Sequence, residues 1–108
     1  MANTFKNATA TVTSNTADTY LYTTPSATTS VVHAVYVSNT GSETIKADLK
    51  VLDASASTTS SLITNAIIVP GSTFILDKPV NLETTDSLCI RPDTANSTQV
   101  VASILQIT

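Results

Sequence analysis

The chain lacks most of what enzyme chemistry and ligand cages require. Its 108 residues include one His, one Cys, two Glu, two Gly and no Trp. A lone Cys89 cannot close an intramolecular disulfide, and with His33 as its only imidazole companion it builds no zinc set. Unpaired cysteine fits folding in a reducing compartment. Its two glycines, Gly41 and Gly71, lie far apart in the chain, so there is no glycine-rich phosphate loop. Five cations against eight anions, net −3, leave phosphates little to hold, so a nucleic-acid partner is not expected. The longest apolar runs, Ala66 to Val69 and the His-interrupted Val31 to Val37, are far short of the ~20 residues of a membrane helix. No membrane partner is expected either. The opening MANTFKNATA has no apolar h-region, so a secretory signal is not expected. Sequons at Asn7 and Asn96 match chance in a chain this rich in hydroxyls.

What is abundant is β-forming. Thr supplies 21 residues, Ser 13, and Val plus Ile 18. Branching at Cβ costs χ1 freedom in a helix and packs well on a pleated sheet. Period-2 segments recur about every ten residues, split by turn-forming clusters. The clearest is Thr44 to Asp53, where Ile45, Ala47, Leu49 and Val51 face one way and Lys46, Asp48 and Lys50 the other. Ser30 to Ser38 is apolar on both faces, which predicts a strand covered centrally in the domain or by another subunit. Further strands are predicted at Ala8 to Thr13, Thr19 to Thr23, Ser61 to Val69, Ser72 to Lys78, Ser87 to Arg91 and Thr98 to Ile107. Asn39-Thr40-Gly41-Ser42 predicts a hairpin, and Pro70-Gly71 suits the centre of a type II turn. Eight strands and no helical period predict a single all-β, antiparallel two-sheet β-sandwich, jelly-roll-like or immunoglobulin-like. Residues 1–18 read as an N-terminal arm and possible first strand, and residues 19–108 as the sandwich domain.

Candidate chemistry is sparse. His33 falls in register with Val31, Val35 and Val37, which predicts a packed or interface side chain rather than a base. Cys89, between Leu88 and Ile90, reads as inert strand filler. Glu83 and Asp86 form the tight acidic pair, in a segment that predicts a solvated turn rather than a shielded glycosidase cleft. Asp93 and Asn96 offer too few oxygens for calcium. No catalytic, cofactor-binding or metal residue is therefore assigned, and no small-molecule substrate.

Charge distribution points to association instead. No Asp, Glu, Lys or Arg occurs from Thr19 to Ser42 or from Ala54 to Leu76, whereas a monomer's surface normally mixes charges throughout. Uncharged surface desolvates cheaply, so these stretches are expected to supply subunit contacts. The candidate partner-contact residues are Phe5, Lys6, Tyr20, Tyr22, Thr28 and Ser60. Phe5, in an arm otherwise poor in apolar residues, is expected to insert against this subunit's sandwich or a neighbour's. The alternative is that the arm pairs as the first strand of its own sheet.

Three stretches carry a family resemblance: LYTTPSATTSVVHAVYVSNTGSETIKADLKV (Leu21 to Val51), VPGSTFILDKPVNLETTDSL (Val69 to Leu88) and ANSTQVVASILQI (Ala95 to Ile107). Together they resemble a family of small, roughly 100-residue β-sandwich virion structural proteins of tailed bacteriophages, including cyanophages. Gln106 stands where that pattern has an acidic residue. The resemblance implies a non-enzymatic capsid decoration (cement) protein or a neck- or tail-associated protein, with no cofactor. Its partners would be copies of itself and other phage capsid, neck or tail proteins. Its location would be the virion, assembled in the host cytoplasm. The alternative is a host-receptor or carbohydrate-binding module on a phage fibre, using surface Tyr and Asn.

Overall fold

The computed structural model describes residues 2–108; Met1, the first residue of the expected arm, lies outside them. Nine strands form: β1 (Asn3–Val12), β2 (Thr19–Thr23), β3 (Thr29–Asn39), β4 (Ile45–Asp53), β5 (Thr58–Ile68), β6 (Thr73–Leu76), β7 (Val80–Leu82), β8 (Ser87–Pro92) and β9 (Thr98–Ile107). They make two antiparallel sheets. The five-stranded sheet runs β1-β9-β3-β6, with β7 also on β3; the four-stranded sheet runs β2-β8-β4-β5. The chain is an all-β two-sheet sandwich, as its composition and alternation predict.

Connectivity decides between the two sandwich types left open by the sequence. Leaving aside the short β7, sheet orders 1-9-3-6 and 2-8-4-5 are those of a jelly roll. Among the described residues, only β4 and β5 are sequential strands paired with each other, and most other connections pass from one sheet to the other. The 39–42 turn is one of these crossings, because β3 and β4 belong to different sheets, so the expected hairpin there is corrected. Asn39 explains the route. Its buried side chain donates from Nδ2 to the carbonyls of Glu43 (2.7 Å) and Ile68 (2.9 Å), and its Oδ1 accepts the Gly41 N–H (2.9 Å). A Cβ on Gly41 would meet Ser97 Oγ at 2.7 Å, so a larger residue there would push the Ser97 side chain aside. The Pro70-Gly71 turn forms as expected, with Gly71 at φ 76° and Ser72 N–H donating to the Val69 carbonyl.

Two strand expectations are amended. β7, following Pro79, is too short to show a period and was not legible. β3 departs from simple alternation: its pairing with β9 shifts register between Val32 and Ala34, a bulge at His33. Ser30, Val32, Val35, Val37 and Asn39 therefore face the core, whereas Val31, Ala34 and Tyr36 face outward. His33 does not share a face with Val35 and Val37; it is exposed.

The core lies between the sheets. Val32, Val35, Val37, Val100 and Ile104 from one layer meet Ile45, Leu49, Leu88 and Ile90 from the other, all essentially inaccessible to solvent. Tyr22 extends this packing with a polar chain: Gln106 Nε2 donates to Tyr22 Oη (2.6 Å), which is 2.7 Å from Ser30 Oγ. At one end, the Asp86 carboxylate accepts the N–H groups of Ala54 and Glu83, each at 3.0 Å. That clamp joins the β4–β5 and β7–β8 turns. Asp86 is thus buried, correcting the solvated-turn reading of the acidic pair, because its oxygens serve backbone donors rather than water.

Candidate functional site

The most distinctive surface is the outer face of the five-stranded sheet. Alternation sends Phe5, Asn7, Thr9 and Thr11 of β1 outward, together with Gln99, Val101, Ser103 and Leu105 of β9. Pairing then builds cross-strand rows. One holds Thr9, Val101, Tyr36 and Ile75; a second holds Thr11, Gln99, Ser38 and Thr73; a third holds Phe5, Leu105, Val31 and Asn81. Phe5 is 79% exposed, Ile75 52%, and Tyr36 and Val101 40% each. None of these positions is Asp, Glu, Lys or Arg. Lys6 alternates with Phe5 and shares the side of Ala8 and Ala10 instead. A shallow groove of about 320 Å³ runs over β1 and β9, lined by Thr9, Ala10, Thr11, Gln99, Val100 and Val101.

The other outer face is built oppositely. Lys46, Asp48 and Lys50 project from β4, with Arg91 of β8 directly across from Asp48. A groove of about 250 Å³ there is lined by Lys46, Asp48, Arg91 and Asp93, with Asn15, Asn65 and Pro92. Lys50 and Asp18 form a half-buried ion pair at 3.0 Å. Lys50 lies beside Cys89 in the row Tyr20, Cys89, Lys50, Ser61. Burial pushes the Cys89 thiol above its ordinary pKa; Asp18 adds to the rise and Lys50 opposes it. A buried thiol held protonated is a poor nucleophile.

The six sequence-predicted contact residues are scattered. Phe5 and Lys6 lie together on β1, while Tyr20 is exposed on β2 and Ser60 on β5, at opposite edges of the other sheet. Tyr22 (7% exposed) and Thr28 (5%) are buried within the subunit, against the exposed position expected of contact residues. Tyr22 is turned inward by a register shift between Tyr20 and Tyr22, and Thr28 Oγ1 donates to the Ser26 carbonyl. Phe5 is not inserted into its own sandwich, because its place in the alternation puts it on the uncovered face. Its ring lies near that of His33, centroids 6.4 Å apart and tilted 34°. Tyr36, Ile75 and Val101 escaped sequence reasoning, since only strand register brings residues so distant into one row.

Elsewhere the chemistry is structural. Asp53, Glu83 and Asp86 each place a carboxylate oxygen within 4.8 Å of the others. Asp86 spends both oxygens on backbone N–H groups, and Asp53 Oδ1 accepts from Ser55 Oγ and the Ala56 N–H. Thr24 and Thr98 hydroxyls are buried with no hydrogen-bond partner among the described residues.

No family model matches the chain, and no curated protein does. Among solved structures it is similar to two crystal structures of a pentameric capsid protein isolated from metagenomic phage sequences, each at 24% identity and TM-score 0.43. These overlaps cover 94% of this chain and 59% or 60% of those chains. It is also similar to the infectious bursal disease virus Gt strain structure, at 9% identity and TM-score 0.44, over 97% of this chain and 33% of that one. The chain thus spans about three-fifths of the pentameric capsid protein's length and a third of the other.

Proposed function

We propose that this protein is a non-enzymatic structural component of a tailed-phage virion, a capsid decoration or neck- or tail-associated protein that forms homo-oligomers and lies against other virion proteins. The observation that carries the reading is the outer face of the five-stranded sheet, which exposes Phe5, Tyr36, Ile75 and Val101 among hydroxyls and amides and no ionised side chain. A face without charge meets a neutral neighbour without stranding an unpaired ion, while its Ser, Thr, Asn and Gln groups still satisfy hydrogen bonds at the contact. The virion setting rests on the three stretches that resemble small phage β-sandwich proteins, and the jelly-roll order is compatible with it.

The exposed aromatic residues speak against the sugar-binding alternative. Tyr20 lies on the opposite sheet from Phe5 and Tyr36, and these two sit in separate rows of one open face rather than in a concave platform. Mass spectrometry of purified particles, followed by a particle density map, tests the reading. Stoichiometric presence on the capsid lattice, neck or tail supports it. Absence from particles overturns it, and selective glycan capture would favour the fibre module.

A further inference from the structure

We propose that β1 is an open sheet edge through which two copies of this chain pair, strand against strand, about a twofold axis. The proposal deepens the homo-oligomer reading above and rests on it. An exposed strand edge presents unpaired N–H and C=O groups, and proteins normally blunt it with brevity, bulges, proline or charge. Three of the four edges here are blunted. β6 and β7 are only four and three residues long, separated by Asp77, Lys78 and Pro79. β2 has five residues and a register shift between Tyr20 and Tyr22. β5 shifts register twice against β4 and carries Asn65 in the left-handed region at φ 55°.

Of these devices β1 carries only a single charge, Lys6. It pairs with β9 without a break from Asn3 opposite Ile107 to Val12 opposite Thr98, over ten residues, and contains neither Pro nor Gly. Among the described residues, nothing pairs with its other side; β2 runs nearby in the opposite sheet but pairs only with β8. Ten residues span about 33 Å, and every second one turns its backbone donor and acceptor outward.

A second copy fits this edge because β1 is its own complement. A twofold axis perpendicular to the sheet generates antiparallel pairing and keeps outward residues outward. With Asn7 on that axis, Lys6 lies across from the other copy's Ala8, so the two ammonium groups are not opposed. Phe5 then lies across from the other copy's Thr9. That residue lines the groove of about 320 Å³ over β1 and β9, so each exposed phenyl ring is delivered beside the other subunit's groove. The same event pairs the open backbone and covers the most exposed aromatic side chain of the arm.

The full chain can be tested by light scattering and sedimentation across a wide concentration range, with amide hydrogen exchange read alongside. The expected species has twice the 11.3 kDa monomer mass at high concentration, and alternate amides of β1 gain protection as it forms. Adjacent N–H groups of a strand point to opposite edges, so one of Asn7→Pro and Ala8→Pro removes an outward donor and leaves a folded monomer. The other removes a bond to β9 and lowers stability. Phe5→Ala, which leaves the fold intact, should weaken association at least tenfold. A monomer at every concentration overturns the pairing, as does an oligomer whose protected amides lie outside β1. Particle incorporation measured in parallel separates this result from the structural role. Incorporation without self-association overturns the pairing and leaves the role, whereas dimers absent from particles support the pairing and overturn the role.

Discussion

The strands of the five-stranded sheet contain one Asp, Glu, Lys or Arg, which is Lys6, while those of the four-stranded sheet contain Lys46, Asp48, Lys50, Asp53 and Arg91. Both sheets contribute to the same dry core, so the difference belongs entirely to the outer surfaces. On the four-stranded side, charges of both signs alternate with core residues, the arrangement of a sheet that faces water. Opposite it, hydroxyls, amides and exposed Phe5, Tyr36, Ile75 and Val101 occupy the equivalent places. The contrast teaches where the charge is concentrated: on β4 and β8 at the centre of one sheet, while β2 and β5 at its edges have none, and β3, β6 and β9, from separate parts of the chain, share one uncharged face.

The largest expected effect is on the link between the two sheets. Asn39→Ala would leave the Glu43 and Ile68 carbonyls and the Gly41 N–H without their partner. The bond to Ile68 is buried and the other two are part-buried; at about 1–3 kcal/mol for a buried group left unsatisfied and less for the others, a loss of about 2 kcal/mol or more is expected in denaturant unfolding. A change within about 0.5 kcal/mol would show that the two layers are held by apolar packing alone.

Next comes the asymmetry between faces. Val101→Glu puts a carboxylate in the centre of the uncharged face, and Lys46→Glu reverses an exposed charge on the other. In the free subunit Val101→Glu should cost little, about 0.5 kcal/mol, since the side chain reaches water. Particle incorporation should fall at least tenfold for Val101→Glu and remain near wild type for Lys46→Glu, by quantitative mass spectrometry of purified particles. Equal effects of the two variants would erase the functional distinction between the faces.

Within the charged face, Asp18→Asn breaks the ion pair to Lys50. A largely buried but still accessible pair of this kind contributes on the order of 1 kcal/mol, so a small drop in unfolding free energy is expected. The same change removes the carboxylate that helps hold the Cys89 thiol protonated, so the thiol pKa should fall toward its ordinary value. Labelling of the folded protein by iodoacetamide at alkaline pH should then be faster than in the parent chain.

The smallest effect is the pH dependence that Cys89 itself confers. Its pKa is raised in the folded state, so the unfolded chain loses the thiol proton first as pH rises. The thiol's contribution is therefore present in full below the unfolded thiol pKa and is lost as pH climbs through the folded value. Cys89→Ala should flatten the alkaline limb of the stability profile, measured by denaturant melts from neutral pH upward.

Much of this was legible because alternation is a local property. Ile45, Ala47 and Leu49 against Lys46, Asp48 and Lys50 announced a half-wet strand, and the structure places them so. The same logic misled at His33, where one extra residue in β3 reverses which side faces the core, and a bulge leaves no mark in a run of valines and alanines. Tyr22 and Thr28 were assigned to a surface on the strength of an uncharged stretch. Lack of charge signals burial equally well in the subunit's own interior, and here the Tyr22 hydroxyl is satisfied by Ser30 and Gln106.

By itself, then, the sequence determined the fold class, the paucity of chemistry and the supply of uncharged strands, because composition and period-2 spacing act on each strand separately. Only the tertiary structure decided that Thr9, Val101, Tyr36 and Ile75 form one row, that β3 and β4 part company, and that β1 remains an open edge. Those outcomes depend on which strands pair and in what register. Pairing joins residues up to a hundred positions apart through backbone hydrogen bonds that are the same for every side chain, so no local pattern can encode it.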